Sequence, residues 1–288
     1  MLNVLVTGSK GQLGSELEEL SSAYKHNFFF TDRDELDITI QENINRFVEV
    51  NNINIIINCA AYTAVDKAES EVELALKINS KAVKSLAEVS KEKAIKLIHI
   101  STDYVFNGEN FTPYIETDNT NPNSVYGESK LSGEKVLLEI NPSNSIIIRT
   151  SWVYSSFGAN FVKTMLRLGK ERELLGVIYD QVGTPTYARD LAKVILNILP
   201  KIENEKVEIY HYTNEGVLSW YDFAKEIMKM AKIDCKINPI ETKEYPTPAK
   251  RPHYSLLNKA KIKEKFKIEI PYWKDSLSEC LEKLGERR

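Results

Sequence analysis

The first half of the chain alternates short β-branched apolar runs with longer stretches whose apolar positions recur at helical spacing. The short runs predict buried strands, and the longer stretches predict amphipathic helices. The predicted strands cover residues 3–7, 27–31, 53–58, 96–101 and 145–149, and the predicted helices cover residues 12–23, 41–51, 70–91 and 126–139. This alternation indicates a parallel sheet with helices on both faces.

Beyond residue 150 the pattern is less regular. Helices are predicted at residues 160–168, 188–199, 219–231 and 271–284, strands at 174–178 and 208–212, and an ordered loop at 241–252. We therefore predict an α/β protein in two parts. A Rossmann-type doubly wound domain occupies residues 1–150, with later segments returning to it, and a smaller mixed α/β domain, mainly for substrate, occupies residues 151–288.

The composition is that of an ordinary globular protein and removes several classes of function. The 288 residues are 42% hydrophobic and 27% charged, with a net charge of −3, so binding to long nucleic acids is not expected. The apolar runs fall short of the ~20 residues of a membrane-spanning helix, and no basic secretory signal is present, so a cytoplasmic location is expected. The scattered cysteines and histidines predict neither a disulfide framework nor a zinc site.

A glycine-rich loop, GSKGQLG, joins the first predicted strand to the first predicted helix. Gly8 permits a tight turn there, Gly11 lets backbone N–H groups approach a pyrophosphate, and Gly14 allows close packing of helix on strand. The start of the helix, at Gln12 and Leu13, adds positive potential for an anion. The loop and its flanking elements predict a dinucleotide-binding site.

Charged residues follow the second predicted strand, where an adenosine ribose would lie. Asp32 is placed to accept hydrogen bonds from the ribose hydroxyls, which favours NAD, whereas Arg33 is placed to meet a 2′-phosphate, which favours NADP. Both NADH and NADPH therefore stay open as the cofactor. Asp37 and Ile38 follow on the adenine side, although the order Asp37 to Thr39 is also typical of a helix cap before residue 41.

Tyr126 and Lys130 lie four residues apart at the start of a predicted helix, and therefore share one face. A tyrosine is a poor acid or base at neutral pH, and the nearby cation is expected to lower its pKa. Thr102 follows a predicted strand at the carboxyl edge of the sheet, where its hydroxyl can bond the substrate oxygen or the phenol. Together with the glycine loop and Asp32, these residues predict a hydride-transfer site.

Segments along the whole chain resemble the extended short-chain dehydrogenase/reductase family and, within it, the dTDP-4-dehydrorhamnose reductases. In chain order the segments are GSKGQLG, DRDELDIT, NCAAYTAVDKAE, ISTDYVF, NSVYGESKLSGE, RTSWVY, NFVKTML, DQVGTPTYARDLA and PTPAKRP. The number of matching segments makes the resemblance far more specific than the Tyr126 and Lys130 pair, which the whole superfamily shares.

The resemblance implies NAD(P)H-dependent reduction of the 4-keto group of dTDP-4-dehydro-6-deoxy-L-mannose to dTDP-L-rhamnose. It implies that Tyr126 is the proton donor, that Lys130 activates it and anchors the ribose, and that the Thr102 hydroxyl tunes the phenol. The other implied contacts are Ala61, Tyr62 and Thr63 with the middle of the cofactor, and Asp103 and Trp152 with the dTDP sugar. The implied partner is the sugar nucleotide, and a homodimer is compatible with the resemblance.

Several residues and the function itself have second interpretations. Trp152 also fits a core aromatic, and Arg251 fits either a ligand of the nucleotide diphosphate or a surface arginine. Some family members gather a magnesium ion at a dimer contact, and Glu16, Asp190 and Glu282 are acidic at comparable positions. A solvated surface explains these three residues equally well, so no metal is predicted.

Two alternative functions stay open. One is a non-catalytic NADP-binding regulatory subunit resembling that of methionine adenosyltransferase, and the other is a related nucleotide-sugar epimerase or reductase. An intact set of catalytic residues favours an enzyme over the regulatory subunit.

Overall fold

The structure, a computed structural model, describes residues 1–286. Its strands are β1 (Asn3–Thr7), β2 (Asn27–Thr31), β3 (Ile55–Asn58), β4 (Lys96–Thr102), β5 (Ile146–Thr150), β6 (Val153–Tyr154), β7 (Leu174–Ile178), β8 (Val182–Gly183), β9 (Thr186–Tyr187), β10 (Glu208–His211), β11 (Leu218–Ser219) and β12 (Lys236–Ile240). Six of them form a parallel sheet in the order β10-β5-β4-β3-β1-β2. The direction of winding reverses between β1 and β3, which is where doubly wound sheets open a crevice at their carboxyl edge.

The α-helices are α1 (Gln12–Ser21), α2 (Gln41–Val50), α3 (Val65–Ala68), α4 (Val72–Leu76), α5 (Ala82–Glu92), α6 (Val125–Ile140), α7 (Phe161–Glu171), α8 (Ala188–Ile198), α9 (Trp220–Ala231), α10 (Ala260–Phe266) and α11 (Trp273–Lys283). Successive strand residues point to opposite faces of the sheet, so the apolar runs build two cores. In β3, Ile55 and Ile57 pack under α1, α8 and α10, while Ile56 packs under α2, α5 and α6. The doubly wound, Rossmann-like fold predicted from the sequence is confirmed.

A further apolar core lies outside the sheet. It joins α7, α9 and α11 to the parallel pair β7 and β12, with Phe223 and Leu277 completely buried. In contrast, α8, β10 and α10 follow residue 150 in the chain yet pack on the central sheet. These are the segments that return to the first part, and the assignment of residues 151–288 mainly to substrate binding stays a prediction.

Most predicted elements differ from the observed ones by one to three residues at their ends. The predicted helix over residues 70–91 contains α4 and α5, joined by a π-helical turn at Lys77–Lys81. The sequence analysis missed α3, α10 and the two-residue strands, because such short pieces carry too little periodicity to be recognised. It also missed β12, because Pro239 lies within that strand and a proline argues against a strand. Within residues 1–286, the helices are too short or too polar to cross a membrane.

Candidate active site

The glycine-rich loop leaves β1 and enters α1 through close backbone contacts. Gly8 has φ +67°, and a Cβ on it would lie 2.7 Å from the Ala60 Cα. A Cβ on Gly14 would lie 2.4 Å from the Gly8 carbonyl oxygen. Side chains are therefore excluded at both positions, which matches the predicted roles of these glycines. Gly11 occupies the N-cap position of α1 without a side-chain cap, so the first N–H groups of the helix are available to an anion.

The start of α1 contacts the segment beyond β5. Gln12 Nε2 donates to the Val153 carbonyl at 3.4 Å, and Asn160 Nδ2 donates to Gln12 Oε1 at 3.0 Å. The neighbouring Leu13 side chain is buried in the core under the sheet. Gln12 thus connects the glycine-rich loop to the second half of the chain.

The residues predicted for the adenosine follow β2. Asp32 Oδ1 accepts from the Arg33 amide at 2.8 Å, and the Arg33 side chain is exposed. Asp37 does not cap a helix: its Oδ1 accepts from the Thr39 amide at 2.9 Å, and the N-cap position of α2, Ile40, has no side-chain cap. The bonds from Thr39 lower the pKa of Asp37.

The helix-cap interpretation of Asp37 was therefore wrong, because the local turn with Thr39 uses the carboxylate first. The Ile38 side chain is buried in the core. Only the backbone and the polar residues of this segment are thus left to face the carboxyl edge.

The segment Ala61, Tyr62 and Thr63 follows β3 at the carboxyl edge and is fixed by Asn79. The Tyr62 amide donates to Asn79 Oδ1 at 2.8 Å, and Asn79 Nδ2 donates to the Tyr62 carbonyl and to Ser129 Oγ, each at 3.0 Å. Asn79 lies in the π-helical turn and is buried. The sequence analysis missed this residue, because nothing in a helical pattern marks an inward-facing amide that joins the cofactor segment to α6.

Thr102, Asp103 and Tyr126 meet where β4 ends. Ser124 caps α6 by accepting from the Gly127 amide at 3.2 Å, which fixes Tyr126 in the first turn. Thr102 Oγ1 donates to Asp103 Oδ1 at 2.9 Å. Burial raises the pKa of Tyr126 above its usual range, and a hydrogen bond with Thr102 opposes that effect. Burial also raises the pKa of Asp103, to about 7.

Lys130 lies one turn beyond Tyr126 on α6, with 2% of its surface exposed. Its Nζ donates to the Ile100 carbonyl at 2.6 Å. Burial lowers the pKa of Lys130 to about 8, although the carboxylate of Glu134 raises it. The expected lowering of the Tyr126 pKa by Lys130 is not what the structure shows, because burial dominates at the phenol and the ammonium is directed to a strand carbonyl.

Trp152 lies just beyond β5 in a strained backbone conformation, with φ +49°. Its indole stacks on Trp220 with a centroid distance of 3.6 Å and an interplanar angle of 14°. The ring is half-buried and packs against the core outside the sheet. Trp152 therefore packs against that core and also lies next to the carboxyl edge of the sheet, just beyond β5.

Arg251 is neither a free surface residue nor an isolated cation. Its guanidinium donates to Asp66 Oδ2 at 2.6 Å and to the Tyr104 hydroxyl at 3.0 Å. The Tyr104 ring meets the Tyr126 ring edge-on at 5.4 Å. The loop that carries Arg251 is thus tied to the site.

The acidic residues considered for a magnesium ion are engaged by other side chains of this chain. Glu16 is fully buried and accepts from Ser155 Oγ at 2.6 Å, from Arg189 at 3.0 Å and from Lys283 at 3.2 Å. Asp190 accepts from Asn214 and Ser276. Two cations, Arg189 and Lys283, therefore lie against the Glu16 carboxylate.

Fold and site together define a short-chain dehydrogenase/reductase, an oxidoreductase class built on the Rossmann-like sheet. The family model of the RmlD substrate binding domain matches residues 2–286. The chain is 44% identical to the dTDP-4-dehydrorhamnose reductase of Aggregatibacter actinomycetemcomitans, over 96% of this chain and 97% of that protein. It is 41% identical to the Escherichia coli K12 enzyme of the same name, over 98% of each chain.

Solved structures agree. The dTDP-4-dehydrorhamnose reductase of Clostridium acetobutylicum has a TM-score of 0.94 and 42% identity, covering 99% of this chain and 100% of that one. The Bacillus anthracis enzyme, solved in complex with NADP, has a TM-score of 0.93 and 38% identity, covering 98% and 100%. The chain belongs to the dTDP-4-dehydrorhamnose reductase family.

Proposed function

We propose that this chain reduces the 4-keto group of dTDP-4-dehydro-6-deoxy-L-mannose to give dTDP-L-rhamnose, with NADPH or NADH as the reductant and Tyr126 as the proton donor. The observation that carries the proposal is the meeting of Thr102, Asp103 and Tyr126 at the same carboxyl edge of the sheet as the glycine-rich loop. The names of the relatives supply the substrate class.

The buried phenol of Tyr126 suits the role of an acid. Because burial raises the pKa of Tyr126, the phenol keeps its proton until a stronger base forms beside it. The alkoxide that develops on C4 of the sugar is such a base, and it takes the phenolic proton. We expect Thr102 to support the transfer: its hydroxyl, which donates to Asp103 Oδ1 at 2.9 Å, would turn its one proton toward the phenolate that remains.

The cofactor would lie across the carboxyl edge of the sheet. The N–H groups at Gly11 to Leu13 would hold the pyrophosphate, with Asp32, Arg33 and the Asp37–Ile38 backbone near the adenosine and Ala61 to Thr63 near the middle. The bound dihydronicotinamide supplies the hydride. Lys130 keeps two N–H donors beyond its bond to the Ile100 carbonyl, and these would hold the nicotinamide ribose.

The sugar would contact Asp103 and Trp152. Asp103 Oδ2 is buried and has no hydrogen bond within residues 1–286, so it can accept one from a sugar hydroxyl. The stacked indole of Trp152 offers an apolar wall at the rim of the crevice.

The test is the oxidation of NADPH or NADH with the 4-keto dTDP sugar as substrate. The wild type should turn over, and Tyr126→Phe should lower kcat by about 10²–10⁴-fold while cofactor binding is retained. Tyr154→Phe is the matched control, because Tyr154 is also buried and its hydroxyl has no partner in the described chain.

Three outcomes would contradict the proposal. Cofactor binding without turnover would reject the reductase and favour a regulatory subunit. Conversion of the sugar without net oxidation of the cofactor would favour an epimerase. Full activity of Tyr126→Phe would reject Tyr126 as the proton donor.

A further inference from the structure

A buried ion pair lies one helical turn beyond the proposed catalytic lysine. The side chains of Glu134 and Arg149 are 0% and 3% exposed. Arg149 donates three hydrogen bonds to the Glu134 carboxylate, at 2.7, 3.0 and 3.2 Å, and Ser101 Oγ donates a fourth at 2.5 Å. A carboxylate with this many charge-assisted bonds has a fixed position.

The pair joins the three elements that carry the site. Glu134 is on α6, four residues after Lys130, and Ser101 directly precedes Thr102 in β4. Arg149 is in β5, three residues before Trp152. Because one carboxylate bonds to both strands, the height of α6 above the sheet and the alignment of its face with β4 are fixed together.

The charges around Lys130 leave Glu134 as its chief anionic neighbour. His99 on β4 is buried, and burial and the lysine hold its pKa low, so it is neutral. Burial raises the pKa of Cys59, which follows β3, to about 12, so it is neutral as well. Tyr126 on the same helix keeps its proton. Glu134 thus favours the charged form of Lys130, against the cost of burial.

We propose that Glu134, held by Arg149 and Ser101, is a positioning residue that keeps Lys130 charged and aligned with Thr102 at neutral pH. The proposal rests on the proposed function, in which the Lys130 ammonium holds the cofactor ribose. The ion pair would then maintain the charge of Lys130 in addition to stabilising the fold.

The experiment compares three variants over a range of about pH 6 to pH 9. Glu134→Gln removes the charge and keeps the shape, and its double variant with Arg149→Met avoids an unpaired buried cation. Glu139→Gln removes an exposed charge from the same helix and keeps the shape, so it is the matched control. Thermal unfolding establishes that each variant is folded before the pH dependence of kcat and of the cofactor Kd is measured.

The alkaline fall of kcat should begin at a lower pH in Glu134→Gln and in the double variant, by about one unit. The shift is toward lower pH because a lysine without its anionic neighbour loses its proton sooner. The cofactor Kd, followed by tryptophan fluorescence, should rise over the same pH range without any substrate present. Glu139→Gln should keep the wild-type profile in both measurements.

A folded double variant with the wild-type pH profile, or with a loss of activity that is equal at every pH, would overturn the inference and leave the pair a structural one. An inactive wild type would instead reject the proposed function. The cofactor Kd separates these two cases, because its pH dependence requires no turnover.

Discussion

Two sets of buried charges lie on neighbouring elements of this molecule and differ in how they are paired. Glu134 and Arg149 satisfy each other with three hydrogen bonds. Asp103 and Lys130 do not: Asp103 Oδ2 has no hydrogen bond within residues 1–286, and Lys130 Nζ bonds a neutral carbonyl. Within residues 1–286, each member of the ion pair therefore has a hydrogen-bonded counter-charge, and the two groups proposed to meet substrate and cofactor have none.

Burying charges without a hydrogen-bonded counter-charge destabilises the folded protein. Burial raises the pKa of Asp103 from 3.8 to about 7 and lowers that of Lys130 from 10.5 to about 8. At about 1.4 kcal/mol per pKa unit, the two charged forms destabilise the fold by roughly 4 and 3 kcal/mol. Groups that titrate close to neutral pH are what acid–base chemistry requires, so the same burial serves the function.

The largest expected effect comes from breaking the paired set. Arg149→Met leaves the Glu134 carboxylate buried without its hydrogen-bonded cation, and the free energy of unfolding should fall by about 3–5 kcal/mol. Urea unfolding at neutral pH measures this loss.

The double variant Glu134→Gln/Arg149→Met is the control for that measurement, because it removes the Glu134 charge together with its Arg149 partner. It should recover most of the stability. A single variant that is as stable as the wild type would show that Glu134 does not depend on Arg149, and the comparison between the two sets would fail.

Asp103→Asn should raise the free energy of unfolding, and the increase should grow with pH. The folded-state pKa of Asp103 lies above its unfolded value, so its stability contribution is complete below about pH 4 and is lost as the pH rises to about 7. The variant should therefore be more stable than the wild type by roughly 4 kcal/mol at pH 8 and by only about 2 kcal/mol at pH 5.

Urea unfolding of both proteins at these two pH values measures that difference. The same substitution should weaken turnover, since a carboxylate proposed to bind the sugar is lost. An unchanged stability gap between pH 5 and pH 8 would mean that Asp103 does not titrate in this range.

The sequence predicted the sheet well for a physical reason. The triplets at Ile55–Ile57 and Ile146–Ile148 place apolar side chains on both faces, and a strand buried on both faces has little freedom to be anything else. The glycine loop was equally predictable, because backbone approach at Gly8 and Gly14 excludes every other residue. The prediction that Asp37 caps α2 was wrong, because the Asp37 carboxylate accepts from the nearby Thr39 amide instead.

The interior of the site was less predictable than its motifs. The spacing of Tyr126 and Lys130 shows that they share a helix face, but not that Lys130 meets the carbonyl of Ile100 or that burial governs the phenol. Asn79 and the Glu134–Arg149 pair depend on contacts between residues far apart in the chain. No local pattern encodes such contacts, so a single sequence cannot give the balance of charge on which the site depends.

The smallest expected effect concerns an ion pair in water. Arg167 and Glu171 lie four residues apart on α7 with an N–O distance of 2.9 Å, and their side chains are 61% and 52% exposed. The order Arg before Glu opposes the helix dipole, and alanine is a better helix former, so Arg167→Ala should change the free energy of unfolding by less than about 0.5 kcal/mol. Urea unfolding at low and high salt measures it. A loss above about 1 kcal/mol would equal that of a buried contact. It would show that exposure to water does not weaken this ion pair, and that burial is not what separates strong from weak charge pairs in this fold.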